Sequence, residues 1–288
     1  MPGKPLRDAL LAQIPGVLEA HNLIPRLVIV QVGNNPASST YIANKLKACA
    51  QVGINAEVVH LAPEEGEATF TLTVRSIAAE PEVDAMIVQT PLPEGWDMQA
   101  ALDLVPPEKD IDGLSTANIN LRHQGNPKAL WPATPLGIVR MLSHAGLTLA
   151  GQTVAVVGRG RVVGLPLQDI LHSLGAHVVA IDRNTLNPAQ LAHQANVLIS
   201  AAGAPGLITK AWVKPGATVV DVGLTRGADG KLVGDVNRAE VEGIAAILTP
   251  SPGGVGPLTV ASLLTNIVDA ACQNRGLPRP VWHIPSLT

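Results

Sequence analysis

Short apolar runs rich in β-branched residues alternate with stretches of helical periodicity along almost the whole chain. "RLVIVQVG" is followed by "TYIANKLKACAQVG", "AEVVHL" by "ATFTLTVRSIAAE", and these by "DAMIVQTPLP". Such an order predicts a parallel sheet flanked by helices, because each strand must be carried back across the sheet by a helix before the next begins.

A second series of the same kind follows: "TVAVVG", "HVVAID", "NVLISAAG", "ATVVDVG" and "AAILTPS". Between the two lies "WPATPLGIVRMLSHAG", read as a bridging helix with Thr134 as N-cap, Pro135 at the first helical position and Gly146 at the end. With 288 residues to place, two domains are expected, residues 1–140 and 141–258. The last apolar stripe, "VASLLTNIVDAACQN", is expected to form a helix in 259–288 that packs back on the first domain. The fold class is α/β: an N-terminal α/β domain and a doubly wound sheet of Rossmann-like type.

Composition narrows the partners. A net charge of -3 offers no field for nucleic acid, and aromatics at 2% leave few rings for bases to stack on. The two cysteines, Cys49 and Cys272, lie near opposite ends without metal or redox spacing, which fits buried thiols in a reducing cytosol. The start lacks the apolar core of a signal peptide, and no uninterrupted apolar run nears the ~18 residues of a membrane span. A cytoplasmic protein with small-molecule ligands is expected, with no nucleic acid, membrane or metal partner.

"TVAVVGRGRVVGLPLQDILHSLG" runs from a strand through Gly158, Gly160 and Gly164 into an amphipathic helix. Glycines there let the backbone approach a pyrophosphate, which free N–H groups of the helix can bind. The spacing, G-x-G-x-x-x-G, is one residue off the dinucleotide fingerprint, and a plain tight turn is the alternative. The next strand ends in Asp182 and Arg183; an acid there suits the ribose 2'-hydroxyl of NAD, an arginine the 2'-phosphate of NADP. Arg159 adds a second cation and favours NADP, while Asp182 keeps NAD open.

In the first series Tyr41 and Lys45 stand four apart and share a helix face. A lysine on an amphipathic helix is by default a solvated charge. Gln89 ends the next strand but one, where ligands of open sheets sit. Asp110 and Asp112 precede a glycine in "PPEKDIDGLS", and either can be a turn-former. "TPSPGGVGPLT" joins a strand to the last helix through a loop nearly free of side chains, suited to backbone contact with a flat ligand. Y-x-x-x-K also suggests the short-chain dehydrogenases, but their nucleotide turn precedes the pair and here it follows.

Taken in order, "LVIVQVGNNPASSTYIANKLKACAQVGI", "VQTPLP", "PPEKDIDG", "PATPLG", "VAVVGRGRVVGLP", "VVDVG", "VGDV" and "TPSPGGVGPLTVASLL" resemble the bifunctional methylenetetrahydrofolate dehydrogenase/methenyltetrahydrofolate cyclohydrolase (FolD) family. The resemblance implies a folate-binding catalytic domain completed by the C-terminal helix, an NADP-binding domain, a folate cleft between them, and a homodimer. It implies that Tyr41 stacks on the folate, that Lys45 is the catalytic lysine, that Gln89 contacts it, and that Asp112 anchors the pterin. Val88 and Thr90 beside Gln89, and Pro252, Gly253, Gly254, Val255 and Gly256, are implied to line the substrate. Gly158, Arg159, Gly160, Arg183 and Leu224 fall on cofactor positions.

The implied chemistry is oxidation of 5,10-methylenetetrahydrofolate by NADP+, then hydrolysis of the methenyl product to 10-formyltetrahydrofolate. The chain departs from the family's usual G-R-S at Gly160, from histidine at Asp182, from leucine at Thr90 and from valine at Ser251. Two rivals keep the fold: a dehydrogenase of another small metabolite, such as a shikimate-type enzyme, and a non-catalytic nucleotide-binding relative.

Overall fold

The structure, a computed structural model, describes residues 1–227 and 230–287. The first half contains α1 (Lys4–Leu11), α2 (Ile14–Ala20), β1 (Arg26–Val32), α3 (Pro36–Val52), β2 (Asn55–Leu61), α4 (Gly66–Ala79), β3 (Ala85–Gln89), α5 (Met98–Leu102) and α6 (Thr116–His123). Then come α7 (Ala133–His144), β4 (Thr153–Val157), α8 (Gly164–Ser173), β5 (His177–Ile181), α9 (Pro188–Ala192), β6 (Val197–Ser200) and β7 (Thr218–Asp221). The chain ends with β8 (Thr225–Arg226), β9 (Leu232–Val233), α10 (Arg238–Val241), β10 (Ile247–Leu248) and α11 (Val255–Asn274).

These elements form two compact units. One comprises Leu10–Ala133 and Val260–His283; the other is built on Thr134–Thr259 with Met1–Ala9 and the C-terminal tail from Ile284. The divisions fall near the end of α1, at the start of α7, within the first turns of α11 and in the C-terminal tail.

The first unit holds a parallel sheet in the order β2-β1-β3. Strands β1 and β3 are buried on both faces, as their unbroken apolar runs require, whereas β2, at the edge of the sheet, stays partly exposed. Leu27, Ile29 and Ile87 face one cluster with Ile42 and Cys49 of α3 and Leu264, Ile267 and Val268 of α11. Val28, Val30, Met86 and Val88 face the other, with Phe70 and Val74 of α4. Each buried aliphatic or aromatic side chain stabilises the unit by about 1.5–3 kcal/mol. Helix α11 is long and apolar enough to cross a membrane by length and hydropathy, but most of it is buried in the protein.

The second unit holds five parallel strands in the order β10-β7-β6-β4-β5. The chain runs from β4 outward to β5 and then returns past β4 to β6 on its other side, and this reversal of strand order opens a crevice beyond the carboxyl ends of β4 and β6. Its core joins Ala155, Val157, Ile181, Leu198 and Val219 with Ala192 and Val241 from flanking helices.

Three local expectations shift. Helix α7 begins at Ala133, so Thr134 lies inside it, and its Oγ1 is 3.0 Å from Thr259 Oγ1. Helix α11 begins at Val255, which puts Val255 and Gly256 in its first turn and shortens the glycine loop. The short hairpin β8–β9 and helices α1 and α2 have no counterpart in the sequence reading.

Candidate active site

Helix α3 starts with Pro36 at its first position, where a missing N–H costs nothing, and Asn35 Oδ1 accepts the Ser38 N–H at 3.3 Å. Gly53, at a φ of 84°, ends it. The same helix buries Ile42 and Cys49, so Tyr41 and Lys45 lie along its edge; Tyr41 is 60% exposed. Burial pushes the Cys49 thiol up to about 12, opposed by the Lys45 charge. It is an inert core group.

Lys45 Nζ donates to Gln89 Oε1 at 3.2 Å, and Gln89 Nε2 donates to the Thr90 carbonyl at 2.8 Å. The second bond fixes which end of the amide faces the lysine. The Thr90 carbonyl also accepts from Ser38 Oγ at 3.3 Å, tying the start of α3 to the end of β3. The Thr90–Pro91 peptide bond is cis. Val88 is buried with Phe70 on the face of the sheet opposite Gln89, so its side chain does not join this group.

The two acids of "KDIDG" separate in space. Asp110 is buried and accepts from the Gly113 N–H at 2.9 Å, the Ser115 N–H at 2.8 Å and Asn118 Nδ2 at 3.0 Å. Asp110 therefore builds the turn. Asp112, partly buried, has its carboxyl raised by burial and, to a lesser degree, by Asp110, while the Lys45 charge pulls it down. Tyr41, Lys45, Gln89 and Asp112 all belong to the first unit.

Gln31 escaped the sequence reading. It stands opposite Gln89 at the carboxyl end of β1, is 2% exposed, and neither amide atom has a hydrogen-bond partner among the described residues. One polar residue inside "LVIVQVG" was the available signal.

In the second unit Gly158 follows β4 at a φ of 106°, and a Cβ there would lie 2.3 Å from the Ala201 carbonyl oxygen. Gly164 opens α8, where a Cβ would lie 2.2 Å from the Gly158 oxygen. A side chain at Gly160 would meet nothing within 4 Å. Gly158, Arg159, Gly160, Asp182 and Arg183 line a cavity of about 740 Å3, and Leu224 lines a neighbouring one of about 280 Å3 with Gly160 and Gly203. Asp182 accepts from the Asn184 N–H at 2.9 Å and Thr185 Oγ1 at 3.2 Å, and Arg159 stands 3.6 Å from its other oxygen. Those donors, Asn184 foremost, hold its carboxyl below the usual range.

Behind this crevice lie two acids that sequence reasoning did not single out. Asp235, fully buried, accepts from Ser200 Oγ, the Ala202 N–H and the Ala204 N–H, each at 2.8 Å, fixing the loop that lines the larger cavity. Asp221 accepts the N–H groups of Gly223, Asp235 and Val236 at 2.9–3.1 Å; burial still raises its carboxyl above the ordinary value.

The Pro252–Gly254 turn belongs to this second unit, and Gly253 takes a φ of 102°. The Gly253 carbonyl accepts the Gly3 N–H at 2.9 Å, and Ser251 Oγ donates to the Gly223 carbonyl at 2.6 Å. A Cβ on Gly254 would lie 2.5 Å from the Pro250 oxygen.

A cavity with glycine walls, two arginines and an acid at the strand ends fits a dinucleotide. Family models agree with both units. The tetrahydrofolate dehydrogenase/cyclohydrolase catalytic domain matches residues 1–112, and that family's NAD(P)-binding domain matches residues 132–275. The bifunctional protein FolD of Parasynechococcus marenigrum is 41% identical, over 96% of this chain and 95% of that protein. The crystal structure of FolD methylenetetrahydrofolate dehydrogenase/cyclohydrolase from Campylobacter jejuni superposes with a TM-score of 0.91 at 34% identity, covering 95% of this chain and 98% of that one. That of the Trypanosoma brucei FolD, solved with NADP and an inhibitor, gives 0.88 at 31%, covering 96% and 97%. Matched in both of its halves and along nearly its full length, the chain belongs to the tetrahydrofolate dehydrogenase/cyclohydrolase family.

Proposed function

We propose that this protein is a bifunctional folate enzyme, oxidising 5,10-methylenetetrahydrofolate to the 5,10-methenyl form with NADP+ and hydrolysing that product to 10-formyltetrahydrofolate. Family membership across both units supports the pair of activities. NADP, held by Gly158, Arg159, Gly160, Arg183 and the main chain at Leu224, supplies the hydride acceptor. The protein's part in that step is alignment.

The second step needs proton transfers as water adds to the methenyl carbon and the ring opens. The observation that carries the assignment is the Lys45–Gln89 hydrogen bond of 3.2 Å at the carboxyl end of β3. Gln89 orients the ammonium, and Lys45 hands the proton between water and the folate nitrogen. Asp112, whose charge interacts with Lys45, accepts hydrogen bonds from the pterin, and the exposed Tyr41 ring stacks on the folate. Thr90, the backbone at Val88 and the Pro252–Gly256 segment complete the substrate contacts.

A homodimer and a cytoplasmic location belong to the same reading. Two free, buried thiols suit a reducing compartment, and light scattering of the purified protein tests the dimer.

The deciding assay follows reduced cofactor and methenyl absorbance separately. Lys45→Ala is expected to abolish hydrolysis of the methenyl compound while part of the dehydrogenase survives. Full hydrolysis by that variant would sink the role given to Lys45, and no cofactor reduction by the parent would sink the dehydrogenase.

A further inference from the structure

The dinucleotide cavity carries contradictory chemistry at one edge. Arg159 and Arg183 offer cations to a 2'-phosphate, and Asp182 lines the same cavity. An acid at the end of the second strand is suited to a ribose 2'-hydroxyl, an arginine to a phosphate there.

The geometry shows how the contradiction is resolved inside the protein. One oxygen of Asp182, Oδ1, is held by the Asn184 N–H at 2.9 Å and Thr185 Oγ1 at 3.2 Å. The other, Oδ2, faces the Arg159 guanidinium at 3.6 Å. The turn after β5 thus fixes an anion where it neutralises the cation nearest the glycine turn. A 2'-phosphate, itself carrying more than one negative charge, meets Arg159 already partnered and a carboxylate beside it.

Resting on the dinucleotide reading above, we propose that Asp182 sets cofactor choice in this chain: Oδ2 accepts the ribose 2'-hydroxyl of NAD and competes with the 2'-phosphate of NADP for Arg159. The site therefore takes both dinucleotides with little discrimination. A purely structural Asp182, serving only its turn, would leave that ratio to the two arginines.

Asp182→Asn separates these roles. Its side-chain carbonyl can still accept from Asn184 and Thr185, so the turn survives, and only the charge is lost. Calorimetric titration of the parent and this variant with NADP, NAD, adenosine 2',5'-bisphosphate and adenosine 5'-monophosphate reads binding without turnover. In the parent, NADP and NAD are expected to bind within about tenfold of each other, a difference near 1.4 kcal/mol. In Asp182→Asn the preference for NADP is expected to rise by about tenfold or more, with the bisphosphate gaining by a like factor over the monophosphate. Adding Arg159→Ala should erase that gain.

An unchanged NADP-to-NAD ratio in the folded variant overturns the proposal and leaves the dinucleotide site standing. Binding of neither dinucleotide by the folded parent overturns the site reading, and the proposal with it.

Discussion

At the residue scale, Asp110 and Asp112 are near-identical in sequence context and opposite in service. Asp110 spends its oxygens on the N–H groups of Gly113 and Ser115, so it stabilises a turn. The carboxyl of Asp112 is raised above its ordinary 3.8 chiefly by burial, which the Lys45 charge offsets in part. A raised carboxyl favours the fold while it is protonated, below 3.8, and that contribution is lost as pH rises through the raised value. Asn cannot ionise, so Asp112→Asn should match the parent in stability below that pH, exceed it at pH 7, and turn over folate more slowly. Urea unfolding at both pH values checks this, and a stability gap that stays flat with pH would contradict it. The sequence alone left both aspartates as possible turn-formers; resemblance singled out Asp112. What distinguishes them, the donors supplied by the chain three to five residues beyond Asp110, exists only once the loop has closed. Gln31 was missed for the same reason, since a strand glutamine gains meaning only from its neighbour across the sheet, Gln89.

At the element scale, the strands were legible from short runs rich in β-branched residues, unbroken where both faces are covered as in β1 and β4, and all eight strands of the two parallel sheets fall on quoted runs. The elements that escaped are short or locally unfavourable. Helix α2 contains Pro15 and Gly16, poor helix formers, and is held by Ile14 and Leu18 buried in the first unit's core. The β8–β9 strands have two residues each, too few to show a period. The glycine turn was legible in placement but not in the duties of its members. Gly164 touches the Gly158 carbonyl, whereas Gly160 faces open space. Gly164→Ala forces the turn and α8 apart and should cost about 1–3 kcal/mol, as overpacking of a tight contact does. Gly160→Ala should stay within about 0.5 kcal/mol of the parent, like other changes that touch nothing. Denaturant unfolding of both variants tests the contrast, and equal losses would mean that the turn closes by another route.

At the scale of the whole molecule, each unit has its own sheet and its own buried cluster; Tyr41, Lys45, Gln89 and Asp112 belong to one, and the proposed dinucleotide residues, with the Pro252–Gly256 segment, to the other. Tyr41, Lys45, Gln89 and Asp112 depend on β1, β3 and α3, while the dinucleotide residues depend on the loops that Asp235 and Asp221 tie down. Binding to the folded form alone stabilises it by RT ln(1 + [L]/Kd), about 2.7 kcal/mol at a hundredfold excess over Kd. Because the larger cavity is lined chiefly by residues 157–160, 181–184 and 201–207, NADP should slow amide exchange there first. Strands β1 and β3 should be slowed only when a folate analogue is added. Lys45→Ala should leave the NADP pattern intact, since Lys45 has no part in the Asp182–Arg159 or Asp235 networks. Hydrogen-exchange mass spectrometry with each ligand alone and with both reads these patterns. Equal protection of both sheets by NADP alone would show that the units respond as one body, and the separate assignment of the ligands would fall.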